Sequence, residues 1–401
     1  MKVVFYTHTS YFDAALCFVR EMSRRVELHV LLEVAPEAWQ RGFFELEPRG
    51  LPAGLVPADP ILREGYPPGV RAYWKDAASF NLVVHTCRRS IHPAAWAVSR
   101  RAARFIRNVK PDLLHLDDVS LRLGWAIPQF GKIPICLSLH DAEPHSGEHN
   151  WRTDLARSLA FWRVTEFVLH NRTQREAFCA SYHLSPVRVG VIPLGIYDVF
   201  REWSERHMPE RRPTVLFFGR LSAYKGLEVL FDAAPRVASH VPNVRFVVAG
   251  RPVEGYRLPD APRLPNGGQV DLLDRYITNP ELARLFQDAT VVACPYIDAT
   301  QSGVVMTAFA FGKPVVATRA GGLPEYVEDQ ITGLLISEQD PVRLAEALVR
   351  LLNDRALRRS ISGNIRRVAG DALSWAAIAE KTMETYDHVL RQNGHNALSR
   401  Q

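Results

Sequence analysis

Short apolar runs alternate with segments of helical periodicity in the N-terminal half of the chain. Residues 3–6 and 26–32 have the β-branched and aromatic character of strands, and residues 14–22 between them carry apolar side chains at helical spacing. Two more buried strands are predicted at 111–116 and 133–139. Because strands that alternate with helices form a parallel sheet covered on both faces, this half is predicted to be a Rossmann-like domain.

A second alternating series follows a break in the pattern. Residues 201–213 are rich in charge and proline and lack apolar periodicity, which is typical of a linker. Beyond it the predicted strands are 215–218, 244–249, 291–294 and 314–317, and the predicted helices include 226–238 and 280–288. We predict an α/β protein with an N-terminal Rossmann-like domain at 1–205, a C-terminal one at 206–374, and a helix at 375–401 that packs back on the first domain. The two doubly wound domains are expected to face a central cleft that holds the ligand.

Composition excludes several classes of protein. The 401 residues are 47% hydrophobic and 23% charged, which is typical of a globular chain. A net charge of +6 is too small for this length to indicate nucleic acid binding. The five cysteines form no C-x-x-C pair and are odd in number, so we expect reduced thiols and a cytoplasmic protein. Neither a signal peptide nor an 18-residue apolar span is recognisable, so a membrane-spanning protein is not expected.

The first candidate site is the loop at 218–226, which follows a predicted strand and opens a helix. It contains two cations, Arg220 and Lys225, at a helix N-terminus, where unpaired N–H groups and the helix dipole favour an anion. The loop matches neither G-x-x-x-x-G-K-[ST] nor G-x-G-x-x-G. A diphosphate would suit it, although solvated surface charge is the alternative.

The second candidate site is the loop at 294–304, which follows another strand and enters a helix at 304–311. The small residues Ser302 and Gly303 leave backbone N–H groups open to a ligand. An ordinary β-to-α turn is the alternative interpretation.

Four motifs together resemble the C-terminal domain of glycosyltransferase family 4. They are Gly219-Arg220-Leu221 with Lys225-Gly226, and residues 310–318 with 321–325; the resemblance is strong over 214–336 and continuous but weaker before it. It implies the GT-B architecture, in which the cleft between two Rossmann-like domains holds a nucleotide sugar. It also implies transfer with retention of anomeric configuration and without a metal or other cofactor. Consistently, the sequence has no D-x-D motif and no histidine or cysteine cluster at ligand spacing.

The resemblance assigns roles to residues of both loops. Arg220 and Lys225 would hold the donor diphosphate and stabilise it as the leaving group, which agrees with their placement at a helix N-terminus. The second loop would contact the diphosphate and the sugar, mainly through N–H groups, with Gln301, Ser302, Gly303 and Val304. A sugar nucleotide is therefore the expected ligand, and the acceptor is left open between a glycan, a lipid-linked molecule and a small molecule.

Two family carboxylates are absent from this chain. The family usually has a pair of glutamates in the second loop, and Ala299 and Thr307 occupy the matching positions. Asp298 could replace the first, and the Thr307 hydroxyl could contact the donor ribose. A non-catalytic sugar-nucleotide-binding or scaffold protein is the alternative. A nicotinamide-dependent oxidoreductase is disfavoured, since residues 3–13 contain no glycine.

In the N-terminal domain the residue of most interest is His140, which follows the strand at 133–139. The family often has a histidine there that contacts the donor sugar, and a neutral imidazole could also orient the acceptor hydroxyl. His145 and His149 follow in a polar loop and are expected to be surface residues or acceptor contacts.

A basic segment runs from Arg88 to Lys110. No acidic residue lies between Asp76 and Asp112, and a helix predicted from Pro93 has apolar residues on one side and cations on the other. We expect the apolar stripe to pack on the sheet. The basic face predicts contact with an anionic membrane surface or a lipid diphosphate acceptor, hence peripheral attachment at the inner face of the cell membrane; a solvated surface helix is the alternative.

Overall fold

The structure is a computed structural model that describes residues 1–36, 42–47, 50–142, 151–204 and 212–398. Within these residues the chain forms two sheets, one before and one after the segment 205–211. The predicted boundary between the two domains, at 205/206, lies in that segment, which is outside the described residues. The boundary therefore stays a prediction.

The first sheet has eight strands. They are β1 (Lys2–His8), β2 (Glu27–Val34), β3 (Gly54–Pro57), β4 (Ser79–Val84), β5 (Leu113–Asp117), β6 (Ile135–Leu139), β7 (Glu166–Leu169) and β8 (Val189–Val191), in the order β3-β4-β2-β1-β5-β6-β7-β8. All neighbours are parallel except β3 and β4. The helices are α1 (Phe12–Met22), α2 (Ala58–Gly65), α3 (Pro93–Val109), α4 (Leu121–Gly124), α5 (Trp151–Phe161) and α6 (Arg175–Ser181).

The second sheet has six parallel strands. They are β9 (Thr214–Phe218), β10 (Arg245–Ala249), β11 (Gln269–Leu273), β12 (Val291–Cys294), β13 (Val315–Thr318) and β14 (Gly333–Ile336), in the order β11-β10-β9-β12-β13-β14. The helices are α7 (Leu227–His240), α8 (Asn279–Asp288), α9 (Gly303–Ala310), α10 (Leu323–Tyr326), α11 (Pro341–Asn353), α12 (Arg355–Gly370) and α13 (Trp375–Leu398). The predicted fold class, two doubly wound α/β domains, is confirmed.

Strand β1 shows why the buried strands are continuously apolar. Val3 and Phe5 belong to one core cluster, whereas Val4 and Tyr6 belong to the cluster on the opposite face of the sheet. Because side chains of a strand alternate between faces and both faces are covered by helices, every position must be apolar. The edge strand β11 was not predicted. Its residues are half-buried or exposed, so no apolar run marks it.

The last helix connects the two halves of the molecule. α13 lies against α1, and the indole Nε1 of Trp375 donates to the carbonyl of Ile196 at 2.6 Å. Further along, the Tyr386 hydroxyl and Nδ1 of His115 are 2.6 Å apart. The C-terminal helix thus returns to the domain in which the chain begins.

Candidate functional site

Two loops of the second sheet meet at its carboxyl edge. After β9 the chain passes through a 3-10 turn, Ala223–Lys225, into α7. Gly219 has a φ of 108°, and a β-carbon there would lie 2.5 Å from Nζ of Lys225 and 3.3 Å from Cγ2 of Val304. Both the positive φ and this close approach require glycine. The Lys225 ammonium therefore lies next to the first turn of α9, so the two loops that the sequence predicted to share a ligand are adjacent.

The two cations of the first loop differ in environment. Lys225 is only 7% exposed, and its Nζ lies 5.2 Å from the centroid of the Tyr296 ring. A cation held over an aromatic face and largely removed from water is weakly screened, so its field at the loop is strong. Arg220 is exposed.

The second loop ends in a well-formed helix N-terminus. The Ser302 hydroxyl caps α9 by accepting from the N–H of Val305 at 3.3 Å. The N–H groups of Gly303 and Val304 are in the first turn, where a helix offers them no internal partner. A β-carbon at Gly303 would lie 2.8 Å from the Tyr197 ring, so packing alone requires glycine at this position. The side chain of Gln301 is half-buried, and its Oε1 has no hydrogen-bond partner.

The positions of the missing carboxylates are both closed to solvent. Ala299 is buried, as is Thr307, whose hydroxyl donates to the carbonyl of Gly303 at 2.8 Å. A ribose contact by Thr307 would have to replace this bond within the helix. Asp298 is half-buried in the same loop as Ala299.

His140 lies at the carboxyl edge of the first sheet, beneath an aromatic ring. Its Nε2 is 2.8 Å from Oδ1 of Asp117, whose other oxygen accepts from the Thr7 hydroxyl at 2.6 Å. The Tyr11 ring is stacked on the imidazole with centroids 3.6 Å apart and planes inclined by 4°. Consequently His140 is only 3% exposed. The sequence had placed this histidine in direct contact with sugar or acceptor, and in this structure Tyr11 covers it.

The Asp117 and His140 side chains stabilise each other's charged forms. Burial lowers the pKa of His140, but the Asp117 carboxylate raises it further, so the net shift is upward. Burial likewise raises the pKa of Asp117, but the His140 imidazole outweighs it and holds this pKa at about 2. Nδ1 of His140 is buried and has no hydrogen-bond partner. His170, whose ring centroid lies 4.9 Å away, has its pKa lowered to about 4, mainly by burial.

A second buried carboxylate, Glu33 of β2, lies at the same edge of the sheet. It accepts from the Tyr6 hydroxyl at 2.6 Å and the Ser120 hydroxyl at 2.5 Å. Arg122 and His8 lie within 3.5 and 3.9 Å of its other oxygen. Burial raises the pKa of Glu33, but the neighbouring histidines and Arg122 lower it to about 2. Glu33 is therefore ionised and holds the side chains of Tyr6, Ser120 and Arg122 around it, beside His8.

Hydrogen bonds join the two domains across the cleft. The Thr300 hydroxyl donates to Asp141, and Nδ2 of Asn171 donates to the Thr300 carbonyl at 2.6 Å. The Glu325 carboxylate accepts from the backbone N–H groups of Arg172 at 2.8 Å and Thr173 at 2.9 Å. The second loop is thus held against the N-terminal domain.

Sequence reasoning missed Tyr11, Asp117 and Glu33. The available signal was the polar residue at the carboxyl end of each buried strand, since such ends line the cleft of an open parallel sheet. His145 and His149 lie outside the described residues. Among the described residues no group of three histidine, cysteine or carboxylate side chains is placed to hold a metal. No described helix is long and apolar enough to cross a membrane.

Two Rossmann-like domains that face a cleft have the GT-B architecture, and comparison with known proteins identifies the family. Residues 65–198 match the model of Glycosyltransferase Family 4, and residues 212–354 match that of Glycosyl transferases group 1. The chain is 30% identical to a D-inositol 3-phosphate glycosyltransferase of Corynebacterium diphtheriae over 295 residues, 67% of this chain and 68% of that protein. It is 31% identical to the enzyme of the same name from Mycobacterium avium over 296 residues, 68% of each chain. The chain belongs to glycosyltransferase family 4 and is a glycosyltransferase; the non-catalytic alternative is not supported.

Solved structures share the fold at low identity. A complex of Anabaena Alr3699/HepE with UDP and glucose has a TM-score of 0.66 and 18% identity, covering 97% of this chain and 100% of that one. The catalytic domain of starch synthase IV from Arabidopsis thaliana, bound to ADP and acarbose, has a TM-score of 0.68 and 14% identity, covering 98% and 99%. At these identities the comparison shows the GT-B fold.

Proposed function

We propose that this enzyme transfers a sugar from a nucleoside diphosphate sugar to an acceptor hydroxyl with retention of configuration. The observation that carries the proposal is the adjacency of the Lys225 ammonium and the first turn of α9. A buried cation and a helix N-terminus together suit a diphosphate. Related folds that contain UDP or ADP in their solved complexes support the same ligand class.

The proposed mechanism relies on charge that the protein holds in place. The bond from the anomeric carbon to the diphosphate breaks, and the acceptor oxygen bonds to that carbon on the same face and loses its proton to the leaving phosphate. Negative charge grows on this phosphate as its bond to the sugar breaks. Lys225 and Arg220 stabilise it, and the N–H groups of Gly303 and Val304 donate to it. Because these groups supply the charge stabilisation that a metal supplies in other transferases, no divalent ion is required. The loop has alanine at position 299, so transfer proceeds without a sugar ester on that residue.

The acceptor is proposed to bind over the carboxyl edge of the first sheet. Tyr11 covers the Asp117 and His140 pair there, and Asp13 lies in the first turn of α1, with a pKa raised to about 6 by burial. These groups would orient an acceptor hydroxyl toward the donor. The glycan, lipid-linked and small-molecule classes all remain consistent with this arrangement.

Peripheral attachment to an anionic membrane is proposed for the face of α3. Arg100, Arg104 and Arg107 are exposed, and none has an ion pair with another described residue. Beside them Trp96 is 46% and Trp125 37% exposed, with ring centroids 6.1 Å apart. Cations next to exposed indoles are typical of surfaces that lie at a membrane interface. The proposed location is the cytoplasmic face of the cell membrane.

A thermal-shift panel of UDP, GDP, ADP and CMP tests the donor proposal. A ligand at 100 times its Kd stabilises the native state by about 2.7 kcal/mol, so the correct nucleoside diphosphate should raise the Tm of the wild type and not that of Lys225→Ala. The same donor should then support transfer in excess EDTA. An equal shift for both proteins would contradict the diphosphate site, and an absolute requirement for Mg²⁺ or Mn²⁺ would contradict the metal-free mechanism.

A further inference from the structure

A large groove lies on the side of the molecule away from the catalytic cleft. Its volume is about 1850 Å³, and it runs along the amino edge of the second sheet, where it is lined by Thr214 at the start of β9 and Arg245 at the start of β10. The proposed donor site lies at the opposite, carboxyl edge. Arg201 and Arg20 line the groove from the N-terminal domain, so both domains contribute to its walls.

The described lining of the groove is strongly basic. It includes ten cationic side chains and four carboxylates, and nine of the ten cations are arginine. Some are paired internally, as Arg20 is with Asp198 at 2.9 Å and Arg245 is with Asp271 at 2.5 Å. The excess of six positive charges is equal to the formal net charge of the whole chain, +6. Positive charge that appears in the composition only as a small net value is therefore concentrated in this groove.

Helix α12 supplies the most regular part of this charge. Its 16 residues include five arginines and no acidic residue. Arg355, Arg359 and Arg366 line the groove, and the first and last are about 16 Å apart along the helix at 1.5 Å per residue. All three are exposed, and none has an ion pair with another described residue. A stripe of arginines of this length is suited to a chain of anions rather than to a single ion.

We infer that this groove binds an extended polyanion whose charges are phosphate groups. Arginine offers a fork of N–H donors that bonds two oxygens at once, and a phosphate has oxygens on several sides, so it can join arginines from facing walls. A chain lying between Arg201 and the α12 stripe contacts both domains. The site is separate from the donor cleft, and the inference does not depend on the proposed function.

Binding of end-labelled long-chain inorganic polyphosphate, measured by fluorescence anisotropy, tests the inference. The groove variant is Arg355→Gln, Arg359→Gln and Arg366→Gln together. The matched control removes three exposed arginines from α3 with Arg100→Gln, Arg104→Gln and Arg107→Gln. At about 0.1 M salt, where the Debye length is about 10 Å, the groove variant should lose at least about tenfold in affinity and the control less than about twofold. The salt dependence of log K should become shallower by about 2, or about 0.7 for each lost phosphate contact, in the groove variant only.

Each outcome bears on one part of the inference. Equal losses in the two triple variants would overturn the groove as the site and show attraction by overall charge. Equal competition by poly-glutamate of matched charge would overturn the phosphate assignment, and equal competition by tripolyphosphate at the same phosphate concentration would overturn the extended chain. Arg201→Gln changes the opposite wall and provides an independent test if the triple variant is unstable. Its affinity for polyphosphate should fall about threefold, and wild-type affinity would contradict the inference.

Discussion

At the scale of single residues, Lys225 has the environment that a donor site needs. Its ammonium is buried beside the first turn of α9, so it is fixed before charge develops on the leaving group. Losing one such preorganised group usually lowers turnover by roughly 10² to 10³. We expect Lys225→Ala to lower kcat by that factor, with a smaller effect for Arg220→Ala, because Arg220 is exposed and its charge is screened.

Steady-state kinetics with the nucleotide sugar chosen by the thermal-shift panel measures this effect. Lys381→Ala, which removes an exposed lysine of α13, is the matched control and should retain wild-type turnover. Wild-type turnover in Lys225→Ala would contradict the assignment of Lys225 to the donor diphosphate.

Asp117 is predicted to set the charge of His140. The pKa of Asp117 is lowered from 3.8 to about 2, so its contribution to stability is complete above pH 4 and is lost as the pH falls toward 2. This amounts to about 2 kcal/mol, at 1.36 kcal/mol for each pH unit. The pKa of His140 is raised, so its contribution is complete below its ordinary value near 6.5 and is lost as the pH rises through the folded-state pKa. Asp117→Asn should therefore reduce the free energy of unfolding most between pH 4 and 6.5.

NMR titration of the His140 imidazole checks the physical cause. Without the carboxylate, burial is the main remaining influence, so the pKa of His140 should fall below its ordinary value in Asp117→Asn. The isosteric asparagine keeps the cavity filled and can still accept from Thr7, which separates charge from packing. An unchanged pKa would show that the pair is not the cause.

At the scale of elements, α3 combines a buried apolar stripe with an exposed basic face. Val98, Ala102 and Ile106 are buried, as the helical spacing predicted, and the arginines between them point to solvent. Each cation near an anionic surface contributes about 1 kcal/mol. We expect the protein to co-sediment with anionic vesicles and not with neutral ones, less so at higher salt, since screening acts within about 10 Å at 0.1 M.

The α3 triple variant Arg100→Gln, Arg104→Gln and Arg107→Gln should lose most of this binding. The α12 triple variant has the same net charge and serves here as the control, so the two sets of variants test two surfaces against each other. Trp96→Ala should weaken vesicle binding further. This loss should persist at high salt, because the indole contributes by burial of apolar surface rather than by charge. Equal recovery of the protein with anionic and neutral vesicles would show that α3 is a solvated surface helix.

At the scale of the whole molecule, contacts across the cleft hold the two domains together. Glu325 accepts hydrogen bonds from three donors of the other domain, the Arg172 N–H, the Thr173 N–H and the Thr173 hydroxyl. Because the carboxylate is exposed, we expect these bonds together to stabilise the closed arrangement by about 1 to 2 kcal/mol. Glu325→Ala should then lower the equilibrium constant of the closed over the open form by about tenfold.

Small-angle scattering with and without nucleotide measures this closure, and the KM for the donor should rise with the loss of the closed form. Glu328→Ala, an exposed carboxylate beyond the same helix, is the control and should leave both readouts unchanged. A Glu325→Ala protein with wild-type compaction and KM would show that these bonds do not govern closure.

The sequence by itself determined the elements and the class of protein. Periodicity depends on neighbours along the chain, so it located β9, β12, α1 and α3 to within a few residues. The motifs at 219–226 and 310–325 together resemble glycosyltransferase family 4, and the placement of Arg220 and Lys225 at a helix N-terminus agrees with anion binding. β11 escaped prediction, since an edge strand with half-exposed residues has no apolar run.

Tertiary structure alone decided which groups meet. Gly303 is required by the Tyr197 ring, more than a hundred residues earlier. His140 is covered by Tyr11, from the turn before α1, and pairs with Asp117 of β5. The basic groove joins arginines from the first domain with those of α12. These contacts depend on strand order and on the closure of one domain against the other. Local sequence pattern contains neither, because the energy of burial and of charge pairing depends on distance in space rather than on separation along the chain.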